Sequence, residues 1–276
     1  MKDLALVANH YTRGDLLGAI LAGVEKLGKT PETVTMDDLA SVDEFHIGGR
    51  IATRAFLDQM SIAAGERVLD VGCGIGGASR YAAHEYGCQI TGVDLTNEYV
   101  EVGTVLCKWL GQQSQVNLVQ GNVFDLSFSD ASFDKSFMLH VGMNISDKAA
   151  LAKEIWRVLK PGAVFGIYDI MQLDDGLLAF PVPWASVPEG SALASPEDYK
   201  CALVSAGFEI VAERNRKDFA LEFFADMKAK SATAGGPPLL GLQVIMGADA
   251  PSKIQNMVAN ITQGSIAPVE LIARKA

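Results

Sequence analysis

Between residues 13 and 29 the apolar positions Leu16, Leu17, Ile20, Leu21, Val24 and Leu27 recur at the spacing of one helix face, and Gly28 supplies a stop. A polar stretch follows, then EFHIGGR at 44–50 and a second helical pattern that runs to Met60. From Arg67 the character changes: short apolar runs alternate with helical patterns closed by glycines. RVLDVG reads as a buried strand, GGASRYAAHEYG as a helix ending at Gly87, and QITGVDL as a second strand. NEYVEVGTVLCKWLG is a helix closed by Gly111, VNLVQGNV a third strand and SFDKSFML a fourth. A helix from about Ser146 to Leu159 stops at Lys160-Pro161-Gly162, and AVFGIYDIM is a fifth strand. Strands alternating with helices across short turns predict a doubly wound α/β fold, a parallel sheet covered on both faces.

Residues 172–194 break this rhythm. Three prolines and a tryptophan make the segment too irregular for a helix and too apolar for a free linker. An insertion of this kind commonly covers a site. SPEDYKCALVSAG restarts helix with a Ser cap and Pro at the first helical position. FEIVAERN follows as a strand, and 218–232 and 252–263 are helical around a Gly-Gly-Pro-Pro hinge at 235–238. IAPVELIARK is the last strand. There is no internal repeat. The expected organisation is one domain over 1–276: a helical cap at 1–62, a core at 63–170, and an insertion with further helices and strands at 171–276. The hinge and its flanking helices suit a lid or a contact between two copies, and the pattern does not choose between them.

Composition narrows the partners. The 276 residues are 49% apolar and 20% charged, and 33 acidic against 23 basic residues leave a net charge of −10. Nucleic acid and anionic membranes are therefore disfavoured as general partners. Cys73, Cys88, Cys107 and Cys201 stand singly, with no C-x-x-C pair and no histidine at ligand spacing, so no metal site is expected. With no apolar run near the ~18 residues of a membrane span and no signal-peptide pattern, the expected setting is the cytoplasm.

The first chemistry-bearing stretch is VLDVGCGIGG at 68–77, where Gly72, Gly74 and Gly77 fall on G-x-G-x-x-G after a buried strand. Such a turn brings backbone against a nucleotide and leads into a helix N-terminus. Asp94 ends the next strand near the spacing at which an acid grips ribose hydroxyls. Asp70 discriminates between nucleotides. Beside a pyrophosphate it would be repulsive, by about 1 to a few kcal/mol for close like charges. Beside S-adenosylmethionine, which carries an ammonium and a sulfonium and no phosphate, it is favourable. A P-loop is excluded by the missing G-K-[ST] ending. A NAD-dependent oxidoreductase is disfavoured by Asp70, and a protein that holds the donor without turnover remains a separate reading.

VLDVGCGIGG, GVDL, GNVFDLSFSDASFD and LKPGAVFGIYD, in that order over about 66–170, resemble the motifs of the Rossmann-like S-adenosylmethionine-dependent methyltransferases. The resemblance implies a seven-stranded sheet in the order 3-2-1-4-5-7-6 with the last strand antiparallel. It implies Asp70 at the methionine amine, Gly72 and Gly74 in the turn, Asp94 on the ribose and Leu95 against the adenine. Where the family often has Asp after the third strand this chain has Asn122, whose amide could serve the adenine amino group, with Val123 adding a backbone N–H.

Ligands of open α/β sheets lie beyond the carboxyl ends of the strands. HVGMNISDK at 140–148 is therefore expected beside the reacting methyl, with His140 as candidate base and Asn144 as a substrate contact or a helix cap. NHYTRG, EFHIGGR and FPVPW resemble the small-molecule branch with sarcosine/dimethylglycine and quinone- or tocopherol-type methyltransferases. By that likeness Tyr11, which precedes the first predicted helix, would line an acceptor cavity with His46, Gly48 and Trp184. The expected reaction is methylation of a small molecule, foremost the nitrogen of a small amine such as a glycine derivative. O- or C-methylation of a phenolic or quinone-like acceptor is the alternative, and it requires a deeper apolar cavity.

Overall fold

The computed structural model describes residues 4–276. Seven strands, β1 (Arg67–Val71), β2 (Gln89–Asp94), β3 (Val116–Gln120), β4 (Phe133–Leu139), β5 (Leu159–Gln172), β6 (Phe208–Asn215) and β7 (Ile266–Lys275), form one sheet. Its order is β3-β2-β1-β4-β5-β7-β6, as the resemblance implies. The first five strands are parallel, and β7 runs antiparallel to both β5 and β6. Helices cover both faces, so the central strands are buried on both sides and read as continuous apolar runs. Asp70 interrupts that run in β1, paired in register with Gly92 of β2 and Phe137 of β4.

Helices α5 (Gly77–Tyr86) and α6 (Asn97–Trp109) pack with α4 (Gly49–Leu57) around the core cluster that holds Phe56, Tyr81 and Phe137. On the other face α7 (Lys148–Val158) and α8 (Pro196–Ala206) bury Leu151, Ile155 and Tyr199. The Ser195 cap of α8 closes a capping box with Asp198, as its SPED start suggests. The cap of α7 is Asp147, whose side chain accepts from the Ala150 amide. Asn144 is therefore not a helix cap, and that alternative is withdrawn.

The N-terminal segment holds more helix than periodicity reveals. Tyr11 does not precede the first helix; it ends α1 (Leu4–Tyr11), which is followed by α2 (Leu16–Lys26). The stretch read as polar contains α3 (Met36–Asp43), eight residues closed by a Thr35–Asp38 capping box. Two helical turns are too few for an apolar stripe to emerge, whereas the T-x-x-D start was visible. After the β6 strand come α9 (Lys217–Ala234), α10 (Gln243–Met246) and α11 (Ala250–Gln263). No helix among the described residues is long and apolar enough to cross a membrane.

A fully buried ion pair fastens the N-terminal helices to the sheet. Arg80 on α5 donates through Nη2 to Asp43 at 2.6 Å, and through Nη1 to the carbonyls of Ile75 and Gly103 at 2.7 and 3.3 Å. Both side chains are 0% exposed. Gly77 makes the contact possible: a Cβ there would lie 2.3 Å from the Asp43 carbonyl oxygen. The third glycine of the motif therefore admits the N-terminal cap. Removing one member of such a pair strands the other in a low-dielectric interior, at a cost of about 3–5 kcal/mol. Arg80→Leu should lower unfolding stability in urea by about that amount, and the double variant with Asp43→Asn should lose less than the sum of the single losses.

Candidate active site

The turn after β1 reverses the chain within hydrogen-bonding reach of β2. Gly72 adopts φ +71°, and a Cβ there would meet Val141 at 2.5 Å, so a side chain is excluded on conformation and space alike. The Gly74 amide donates to Asp94 Oδ2 at 2.8 Å, while the Thr96 amide donates to Oδ1 at 2.8 Å. One carboxylate thus ties the glycine turn to the end of the second strand. Asp70 is 2% exposed and accepts from the Ser79 hydroxyl at 2.6 Å.

These groups open onto a cavity at the carboxyl ends of the strands. On its donor side lie Asp70, Gly72, Gly74, Asp94, Leu95, Asn122 and Val123, all singled out by the sequence reading. Asn122 Oδ1 already accepts from the Phe124 amide at 3.0 Å, so it also shapes its own turn. Tyr99 was not anticipated. Its hydroxyl is buried without a hydrogen-bond partner among the described residues, against the same turn. A helix-face tyrosine reads as core in a sequence, and only its unpaired buried oxygen sets it apart from the core.

Burial governs the charges. It raises the Asp70 carboxyl to about 7, with Ser79 opposing and the charges of Asp94 and Glu44 adding to the rise. Burial also raises Asp94, against hydrogen bonds from Thr96 and Gly74 that favour its ionised form. No Lys or Arg lines the cavity among the described residues. Two desolvated acids without a protein cation fit a positively charged nucleoside and oppose a pyrophosphate.

The opposite side of the cavity brings together Tyr11, His46, His140, Asn144 and Trp184. His140 follows β4 in a left-handed conformation, φ +54°, its amide donating to the Tyr168 carbonyl at 2.7 Å. Its Nε2 is buried without a hydrogen-bond partner among the described residues. Burial, and secondarily the charge of His46, hold its pKa well below the ordinary histidine value, so the ring is neutral. The turn that carries it is braced from beneath by Asp169, whose carboxylate accepts from Tyr199 at 2.6 Å and from the Gly142 backbone. Asn144 donates to the Tyr11 oxygen at 3.0 Å and to the Val141 carbonyl at 3.3 Å. Burial raises the Tyr11 phenol well above its usual value, which keeps it protonated.

Trp184 is a wall and a core residue at once: it is 2% exposed, with Nε1 donating to Ser191 Oγ at 2.9 Å. Gly48 requires a correction, since it does not line the cavity. It precedes α4 with φ +92°, and a Cβ there would lie 2.5 Å from the Phe219 ring. Its role is backbone geometry and packing. The sequence reading missed the walls supplied by Phe223, Phe224 and Met227 of α9, Ile245 and Met246 of α10, and Ile254 and Met257 of α11. The helices α9 and α11 were legible and the four-residue α10 was not, and which face meets the cavity was legible for none of them.

Residues 69–167 match the methyltransferase domain family. A sterol 24-C-methyltransferase of Eremothecium gossypii is 31% identical over 166 residues, 57% of this chain and 44% of that protein. The O-methyltransferase rstn1 of Aspergillus nomiae is 29% identical over 214 residues, covering 76% of this chain and 90% of that one. This chain spans less than half the length of the sterol enzyme. Among solved structures, the [4+2]-cyclase SpnF superposes with a TM-score of 0.67 over 99% of this chain and 96% of its own at 22% identity, which shows a shared fold.

The raised Asp70 carboxyl has two consequences of definite sign. Without ligand, the stabilisation that comes from its protonated form is complete below about pH 4 and is lost as pH rises through about 7. A ligand ammonium beside Asp70 prefers its ionised form, so affinity for S-adenosylhomocysteine by calorimetry should tighten as pH rises towards about 7, by up to about tenfold per unit, and level off above. Asp70→Asn should flatten that dependence. Strand order, the two strand-end acids and the family match together make residues 69–167 of this chain a methyltransferase domain of the S-adenosylmethionine-dependent, Rossmann-like class.

Proposed function

We propose that the chain transfers the methyl group of S-adenosylmethionine to a hydroxyl of a small, largely apolar acceptor of phenolic or quinol type. The observation that carries this reading is the lining beyond the donor side. Phenylalanine, methionine and isoleucine side chains from α9, α10 and α11 line the cavity together with Trp184, Ile47 and Met143. A glycine derivative would bring a carboxylate into that space, where the described residues offer no Lys or Arg to receive it. The apolar cavity required by the O- or C-directed alternative is present, and the few polar groups, Tyr11, Asn144, His46 and His140, cluster beside the donor residues. Such a lining, apolar with a few convergent polar groups, suits recognition of a ring or prenyl body with one reactive oxygen.

When bound, the donor supplies an electrophilic methyl on a positive sulfur. The protein supplies alignment and dryness. Asp70 and Asp94 hold the cationic nucleoside from the sheet edge. The unpartnered His140 Nε2 accepts a hydrogen bond from the acceptor hydroxyl, which orients an oxygen lone pair at the methyl. The Tyr11–Asn144 pair closes the N-terminal side.

Because this fold also belongs to a [4+2]-cyclase, donor binding alone does not test the proposal; product formation does. Radiolabelled methyl should be transferred to prenylated or alkylated phenols in a panel that also holds glycine, sarcosine and dimethylglycine. Incorporation into the amines alone overturns the reading. His140→Ala should lower kcat/KM for the phenol by at least about tenfold while donor affinity stays within about threefold, since its contact is with the acceptor. Unchanged kcat/KM would reduce His140 to a structural residue.

A further inference from the structure

Transfer to a hydroxyl releases a proton, and His140 is poorly placed to keep it. The titratable neighbour that most affects His140 is His46, with ring centroids 5.8 Å apart, and a second imidazole offers no negative charge to balance a proton. The other ring against His140 is Tyr168, 4.9 Å away, whose hydroxyl is committed to the Ile47 carbonyl at 3.1 Å. Among the described residues, His140 therefore has no counter-charge.

His46 is set differently. It is 8% exposed, and its Nε2 lies 2.9 Å from Thr53 Oγ1 and 3.7 Å from Glu44 Oε2. The Thr53 hydroxyl donates to Glu44 Oε2 at 2.7 Å, and Arg50 Nε donates to Oε1 at 2.6 Å. A hydroxyl has one proton and a carboxylate none to give, so Thr53 gives its proton to Glu44. The hydrogen between His46 and Thr53 must then sit on Nε2, which leaves the lone pair of the neutral ring on Nδ1, outside the Thr53–Glu44 network. The charged and titratable groups around the ring are Glu44 and Arg50 from the N-terminal segment, His140 after β4 and Tyr168 on β5. Burial lowers the His46 pKa and Arg50 adds to the fall, while Glu44 and a hydrogen bond to the Gly49 backbone pull it back up.

Resting on the hydroxyl acceptor proposed above, we infer that His46 is the general base of the transfer, held in its Nε2–H tautomer by Thr53 and Glu44, while His140 only holds the acceptor oxygen. As the O–CH3 bond forms, the S–CH3 bond breaks with its electron pair going to sulfur, and the acceptor proton passes to His46 Nδ1. The resulting imidazolium is paired with Glu44 through Thr53 and releases its proton to solvent as the product departs. Glu44 and Thr53 are positioning residues. The arrangement obeys the logic of a base oriented by a buried acid.

Two measurements on the full chain test this. The first needs no acceptor: nitrogen-15 NMR of the protein saturated with S-adenosylhomocysteine. His46 is expected as the Nε2–H tautomer, titrating at higher pH than His140. Glu44→Gln should lower the His46 midpoint by at least about one pH unit and leave His140 in place, and Thr53→Ser should keep the tautomer that Thr53→Val loses. The second uses whichever phenol the panel shows to be methylated. There His46→Gln should lower kcat by at least about a hundredfold and abolish the acid limb of its pH profile, whereas His140→Gln should act mainly on KM. An Nδ1–H tautomer at His46, or an acid limb that survives His46→Gln, overturns the inference. If no phenol is methylated, the hydroxyl-acceptor reading fails, and with it a proton-transfer role for His46; the tautomer measurement then decides the Glu44–Thr53–His46 arrangement by itself.

Discussion

The buried contact between Arg80 and Asp43 is the constraint on which the site depends. It joins the helix that follows the nucleotide turn to the last residue of a short N-terminal helix. The residues immediately after Asp43 are Glu44, Phe45, His46 and Ile47, and the last three line the cavity. A guanidinium that also binds the Ile75 and Gly103 carbonyls holds the turn, α5, α6 and the cap in one unit. The histidine of the cap and the acids of the sheet therefore share one space although nothing in the strand alternation requires it. An ion pair so deeply desolvated is weak support for net stability and strong support for geometry, because neither partner has an alternative site.

Electrostatics and packing then divide the cavity. One half holds Asp70 and Asp94, both desolvated and both with carboxyls raised by burial. The other half is lined by side chains of low polarity drawn from α9, α10 and α11 and from the segment after β5. Between the halves sit two histidines of contrasting surroundings. His140 has a bare nitrogen and no ion nearby to balance a charge, while His46 has a carboxylate behind it. Similar rings in adjacent positions are thereby suited to different tasks, one to receive a hydrogen bond and the other to receive a proton.

Much of this was legible in the chain. Strand–helix alternation, the glycine spacing and the two acids at strand ends are local features: each depends on a few neighbouring residues and on backbone sterics, and the sheet they predict is the one observed. The donor residues Asp70, Asp94, Leu95, Asn122 and Val123 all line the cavity for that reason. Gly48 was misread because a glycine beside a histidine gives no sign whether its space is filled by ligand or by Phe219. Tyr11 was placed outside helix because an eight-residue helix carries too little periodicity to be seen.

The sequence by itself determined the class of sheet and the charge that its nucleotide turn presents, since both follow from short-range order: side-chain alternation, glycine conformations, and an acid two residues before the turn. Tertiary structure decided how the acceptor half is assembled. His46 and His140 stand out in their motifs but lie far apart along the chain, Glu44 and Thr53 carry no local signal, and the walls from α9 to α11 are more than a hundred residues from the turn they face. Which of several amphipathic faces meets the cavity, and which histidine has a carboxylate behind it, depends on how elements pack, and no local spacing encodes that.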